Sequence, residues 1–298
     1  MNKISLSLAL VLMAFSGSLA AKTLVTVNGT KIDSSEIDLH VKNLQTQSQG
    51  KVQDTPQLRQ KITQEMVTRT LIKQEARRLK IDQSAEYKKI TDQALTQAKK
   101  EGADKRAAFK SDWSIFQNEM LVQAFIADIV RRNPVTEADV KKTYDDINQF
   151  YKNSDEVQLG EIITSTSTDA EKAITELKAK KSFKNVAIQY STDPLVKQTG
   201  GINNGYISLK DLEKNEPVVY SAISSLKKGQ YTTKPILGNN FAAVFYISDK
   251  RVMKVPPFEE LAPSLSQEMQ SYRIDAAIKP LYEKAKIEKE EIENKIKV

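Results

Sequence analysis

Apolar residues recur at helical spacing along both ends of this chain, but the rhythm stops near Asn153 and resumes only after Pro256-Pro257. Such a chain must set a mixed block between two helical stretches. On the N-terminal side, Leu58, Ile62, Met66, Ile72, Ala76 and Leu79 make one stripe. Trp113, Phe116, Met120, Ala124, Ala127 and Val130 make another. Each suits burial along one side of a helix. Between them, Gln83–Lys110 is rich in Lys, Gln, Ala and Glu and predicts a poorly buried helix. Upstream, Leu24–Val27 runs into Asn28-Gly29, a hairpin signal, and Asp33-Ser34-Ser35-Glu36 offers helix-capping residues. Asn133-Pro134 ends the helical run, and Thr136-Glu137 opens a further helix over 137–151.

In the middle block the pattern changes to a strand over 157–163, helices over 168–180 and 183–190, a loop rich in Gly, Asn and Asp over 191–206, and a closing strand over 243–248. Beyond it, Phe258, Leu261, Leu265, Met269 and Tyr272 predict one long helix, bent or broken at Pro263 and Pro280. The expected fold class is α+β: a small antiparallel sheet with surrounding helices, inserted between segments of an all-α domain. The expected segments are 1–20, a leader; 21–153, an N-terminal helical arm; 154–252, the mixed domain; and 253–298, a C-terminal helix packing on the arm.

The leader follows from Lys3, the apolar run Ile4–Phe15 and the small-residue exit Ser16–Ala20, the order of a secretory signal peptide. The run is well short of the roughly 20 apolar residues that cross a bilayer, so cleavage near Ala20 or Ala21 and a soluble mature chain are expected. There is no cysteine, which excludes disulfides, thiolate zinc sites and a cysteine nucleophile. It also excludes the lipid-modified cysteine of a lipoprotein. The formal charge is +7, but Lys and Glu interleave, as in Glu283–Lys297, in the manner of a solvated helix face. Nucleic acid is therefore not an expected partner, whereas anionic membrane surfaces or acidic unfolded chains suit the charge.

Read as one unit, Val157–Arg251 resembles the parvulin (PpiC) type of peptidyl-prolyl cis-trans isomerase. The resemblance rests on Ser191-Thr192-Asp193, Gly200-Gly201 at the family spacing, and Leu226-Lys227-Lys228-Gly229 through Pro235. The flanks resemble those of the SurA/PrsA-like foldase group, at Val27-Asn28-Gly29, Leu71–Ala76, Val135–Val140 and Pro257–Leu261. The resemblance implies a chaperone arm followed by an isomerase-type domain, located in the periplasm. Its implied partners are unfolded or nascent exported polypeptides and proline-containing peptides, with a homodimer as a further option and no cofactor or metal.

Turning an Xaa-Pro bond twists an amide through a barrier of about 18–20 kcal/mol and makes or breaks no bond, so neither nucleophile nor metal is required. The family is understood to use two histidines and an Asp or Cys around the carbonyl, with an apolar wall for the ring. By this resemblance Asp193 stands at the Asp/Cys position, Glu161 at the first histidine, and Ala243 or Ala242 at the second. Asn203 stands where Leu is common and Gly238 where Thr is common. The chain's one histidine, His40, lies in the N-terminal arm. Asp193 and Glu161 are the candidate catalytic residues, and Leu209, Leu212, Val219, Tyr206 and Phe241 the candidate substrate-binding ones. Each has a plainer alternative: Asp193 as a turn former, Glu161 as a position freed from catalysis, the aromatics as core. Two functions stay open: a folding factor with weak or absent isomerase activity, and a fully active isomerase using Asp193 and an apolar proline pocket.

Overall fold

The Asn28-Gly29 signal closes a hairpin between β1 (Thr23–Val27) and β2 (Thr30–Asp33). Both turn residues have positive φ, 48° and 84°, the backbone that a type I′ turn requires and that Asn and Gly tolerate best. The structure is a computed structural model describing residues 22–289; the expected leader, 1–20, lies with residue 21 and residues 290–298 outside the described residues. Glu36 Oε1 accepts from the Asp33 N–H (3.3 Å) and so caps α1 (Ser34–Gln47). Thr55 Oγ1 accepts from Leu58 N–H (3.1 Å), with Pro56 opening α2 (Pro56–Arg78). After α3 (Ala85–Lys100) comes α4 (Phe109–Arg132). Ile62, Met66, Val67 and Leu71 of α2 pack on the hairpin's Val25, Val27 and Ile32. One turn further on, Ile72 and Ala76 pack on Tyr87 and on Leu121, Val122, Phe125 and Ile129 of α4.

That buried face of α4 is not the expected stripe. Ala127 is exposed, while Trp113 and Phe116 are half-buried and stacked on each other with ring centroids 5.2 Å apart. The helix is apolar around much of its circumference, so spacing alone cannot choose between neighbouring faces.

The described chain divides into two compact units, Thr136–Ser266 and the segments flanking it. The second unit therefore starts with α5 (Glu137–Tyr151), which the sequence reading assigned to the arm. Aromatic side chains tie α5 to its own unit. Tyr144 OH donates to the Pro256 carbonyl (3.0 Å), its ring meets Phe258 edge-on at 5.4 Å, and Tyr151 OH donates to Asp211 (2.9 Å). The unit continues with β3 (Asp155–Thr164), α6 (Ser167–Lys178), α7 (Phe183–Tyr190), the single turn α8 (Val196–Thr199) and β4 (Ile207–Ser208). It closes with α9 (Leu209–Asn215), α10 (Pro217–Ile223), β5 (Ile236–Leu237) and β6 (Ala242–Val252). The antiparallel sheet has the order β4-β3-β6-β5, giving a mixed helix-and-sheet fold of the class expected.

The sheet's two faces carry separate cores, as alternation along its strands requires. Ile162, Ala242 and Val244 pack under α6 and α7. Val157, Leu159, Ala243, Phe245 and Ile247 pack against α9 and α10. Gly160 sits where a Cβ would lie 2.6 Å from the Phe183 ring. Its bare backbone leaves room for the Phe183–Tyr246 stack, at 4.5 Å and 14°.

A last helix, α11 (Phe258–Glu283), runs through Pro263 and Pro280 without the expected break. The carbonyls those prolines leave without a helical donor belong to Glu259 and Ala276, both exposed, where water can satisfy them. In the first unit, Ile274, Ala277, Ile278 and Leu281 of α11 pack on the α2–α4 core. The helix ends at Glu283, and β7 (Ile287–Lys289) pairs antiparallel with β1. Of the segment expected as a solvated helix, 283–289 thus leaves the helix after its first residue, where β1 offers an open edge, and the rest lies outside the described residues. Asn28 fixes the register, its N–H donating to the Lys286 carbonyl (2.9 Å) and its Oδ1 accepting from Lys286 N–H (2.8 Å).

Candidate functional site

Glu161 lies half-buried on β3 opposite Phe245 of β6, and Ile163 lies opposite Ala243. Glu161 and Ala243 are therefore diagonal neighbours on one sheet face, the face of Leu159 and Phe245. Ala242 packs under α6 and α7 on the other. Of the two alanines, it is thus Ala243 that occupies the place beside Glu161. Around them, Ile163, Val219 and Ile236 are partly buried against the same core, so Glu161 has apolar neighbours on the sheet.

The glycine pair brings the following loop onto β3. Glu161 N–H donates to the Gly201 carbonyl (2.7 Å) and Asn203 N–H to the Leu159 carbonyl (2.9 Å). Gly200 and Gly201 have φ of +67° and +75°, and a Cβ on Gly201 would meet the Glu161 carbonyl oxygen at 2.8 Å and Ala187 Cβ at 2.9 Å. Only glycine lets the chain pass here. The register delivers Asn203, whose Nδ2 donates to Glu161 Oε1 at 3.0 Å. Sequence reasoning marked Asn203 only as a departure from pattern. No local signal joins residues so far apart; the loop's pairing with β3 does.

Asp193 is placed differently. Its Oδ1 accepts from Leu195 N–H (2.9 Å), an Asx turn that starts α8. Ser191 Oγ accepts from the N–H groups of Ile163 (3.2 Å) and Asp193 (3.3 Å), and Thr192 N–H donates to the Ile163 carbonyl (2.7 Å). The Ser-Thr-Asp motif thus clamps the loop to the end of β3, and Glu161 and Asp193 share no hydrogen bond.

The candidate wall residues lie in different places. Leu209 and Leu212 are 9% and 4% exposed, core contacts of α9 with the sheet. Val219 alone of the aliphatic three stays partly exposed at the face. Phe241 is exposed and lies over Gly238, which has no room for a Cβ beneath the ring. Tyr206 belongs to the opposite face. Its partners Asp249 and Arg251 pair with Gln158 and Glu156, which flank the inward Val157.

There Tyr206 OH donates to Asp249 (2.5 Å), Lys228 Nζ pairs with Asp249 (2.9 Å), and Arg251 stacks 3.6 Å over the Tyr206 ring while bonding Glu156 (2.6 Å). The bonds from Tyr206 and Lys228 hold the Asp249 carboxyl down to about 2, and the same bond raises the Tyr206 hydroxyl. This cluster pins the loop and offers no vacant group for chemistry. A hollow of about 360 Å³ lies elsewhere, lined by Asp145, Asn148, Tyr151, Lys152 and Met253. Among the described residues no group of acidic or histidine side chains is placed to hold a metal, and no helix is long and apolar enough to cross a membrane.

The sequence pattern of the SurA-like N-terminal domain matches residues 3–124, and that of the PPIC-type PPIase domain matches residues 135–263. The second match begins at α5 and so agrees with the unit boundary in the structure. A Bordetella bronchiseptica protein named "Probable parvulin-type peptidyl-prolyl cis-trans isomerase" is 28% identical over 269 residues, covering 90% of this chain and 93% of its own. The foldase protein PrsA of Clostridium botulinum is 24% identical over 282 residues, covering 84% of this chain and 83% of its own. A SurA-like chaperone of Campylobacter jejuni, known by structure, is 21% identical with a TM-score of 0.35, covering 90% of this chain and all of that one. With a SurA-like N-terminal domain followed by a PPIC-type PPIase domain, the chain belongs to the SurA/PrsA-like foldase group.

Proposed function

We propose that this chain is an exported folding factor whose helical arm holds unfolded polypeptides, while its isomerase-type domain binds their proline-containing segments and turns them over weakly or not at all. The observation that carries this is the state of the polar groups at the β3–β6 face. Ala243, 1% exposed, stands in place of one imidazole. Glu161, bonded to Asn203, stands in place of the other, and Asp193 is committed to its own turn. The Asn203 amide is turned to Glu161 and the Asp193 carboxylate to Leu195 N–H, so these groups do not form the polar cluster around one carbonyl that the family is understood to use. An isomerase gains rate only from contacts stronger in the twisted state than in the planar one. A face with an apolar floor and one fixed carboxylate binds both states about alike.

Export is supported by the leader-like residues 1–20, the periplasm by the group to which the chain belongs, and unfolded-protein clients by the foldase and chaperone names of its relatives. The aggregation of a denatured client, followed by light scattering with and without this protein, tests the chaperone part. Suppression near equimolar ratio is expected, and no suppression at tenfold excess would overturn it.

A further inference from the structure

Two departures from the family pattern touch each other: Glu161 stands where a histidine is common and Asn203 where a leucine is, and Asn203 Nδ2 donates to Glu161 Oε1. Both backbones are fixed, Glu161 N–H on Gly201 and Asn203 N–H on Leu159, so the amide reaches the carboxylate without ordering a loop to do so. Glu161 Oε2 has no partner among the described residues and is not shut away from solvent. Among the described residues no Lys or Arg pairs with it. A carboxylate only accepts hydrogen bonds, whereas an imidazole also donates. The partner that adds most to such a carboxylate brings both an N–H and a positive charge.

We propose that Glu161 and Asn203 form one recognition unit, Asn203 positioning the carboxylate and its free oxygen selecting peptides with a cationic side chain beside the proline. This rests on the reading of the β3–β6 face as a peptide site. The chain's overall charge of +7 repels cationic peptides at long range, so a preference for them has to come from contact.

The test is fluorescence anisotropy of the mature chain with three labelled peptides alike but for Lys, Gln or Glu before proline. The Lys peptide binds about two- to five-fold tighter than the Gln peptide, the range of a partly exposed ion pair, and the Glu peptide binds weakest. The order flattens in 0.5 M salt. Glu161→Gln brings the Lys/Gln ratio to about one, Asn203→Leu lowers it, and Asn203→Gln restores it, which a merely structural role for Asn203 would not do. Thermal unfolding checks each variant, and the wild-type ratio stands without any of them. Equal binding of all three peptides, or a ratio unchanged in Glu161→Gln, overturns this inference alone; absence of binding by all three overturns the peptide-site reading with it.

Discussion

Substituting alanine at three glycines of one loop separates backbone strain from crowding. At Gly201, φ is +75° and the new Cβ meets the Glu161 carbonyl oxygen at 2.8 Å and Ala187 Cβ at 2.9 Å. Neither neighbour is the end of a flexible side chain. The left-handed backbone costs about 1–2 kcal/mol and the overpacking about 1–3 kcal/mol, so Gly201→Ala destabilises its unit by about 2–5 kcal/mol. At Gly200, φ is +67° but the neighbour is the Lys184 stem, which can swing away, leaving about 1–2 kcal/mol. Gly205 has neither positive φ nor any atom within 4 Å of the new Cβ, so Gly205→Ala is neutral or slightly stabilising. Calorimetry of the full chain reads the order, with hydrogen exchange at the Glu161 N–H assigning the transition to this unit. Gly201→Ala lowers its melting temperature by at least about 6 °C. A Gly201→Ala protein that melts with Gly205→Ala would refute the reasoning.

Three further outcomes are expected. Asp249, held near 2 by Tyr206 and Lys228, contributes stability present above its unfolded value near 3.8 and lost as pH falls from about 4 towards 2; Asp249→Asn flattens that part of a stability-against-pH curve measured by urea denaturation. Tyr282 OH accepts from Gln64 (2.9 Å) and bonds Thr68, so Tyr282→Phe costs about 0.5–1.5 kcal/mol and speeds exchange of the β7 amides, and unchanged exchange would count against the docking of α11. Arg273 bonds the carbonyls of Asn133 and Pro134, so excising Thr136–Ser266 and joining its ends leaves a folded helical unit that retains most aggregation suppression, read by light scattering; loss of suppression in a folded product would place client binding in the excised unit.

What the sequence made legible was whatever depends on local chemistry. The Asn28-Gly29 hairpin, the capped helices and the α+β block each follow from residues within a few positions of one another. Faces and long-range pairings were not legible in this way. The stripe chosen on α4 was one face away from the buried one because both satisfy helical spacing. The exit of α11 into β7 is decided by the open edge of β1, far off in sequence. The candidate site shows the same division. Glu161 and Asp193 were marked by their positions in a pattern, but their partners, Asn203 and the Leu195 N–H, follow from loop register. That Tyr206 meets Asp249 and Arg251 on the other sheet face follows from strand register, which its own neighbours in sequence do not carry.

The most direct measurement of the central claim is prolyl turnover on an Xaa-Pro tetrapeptide, in the same preparation that suppresses aggregation. The account predicts a rate at least about a hundred-fold below that of a parvulin carrying both histidines, the scale of losing one oriented polar group, with Asp193→Ala changing little. Turnover equal to such a parvulin and abolished by Asp193→Ala would contradict it.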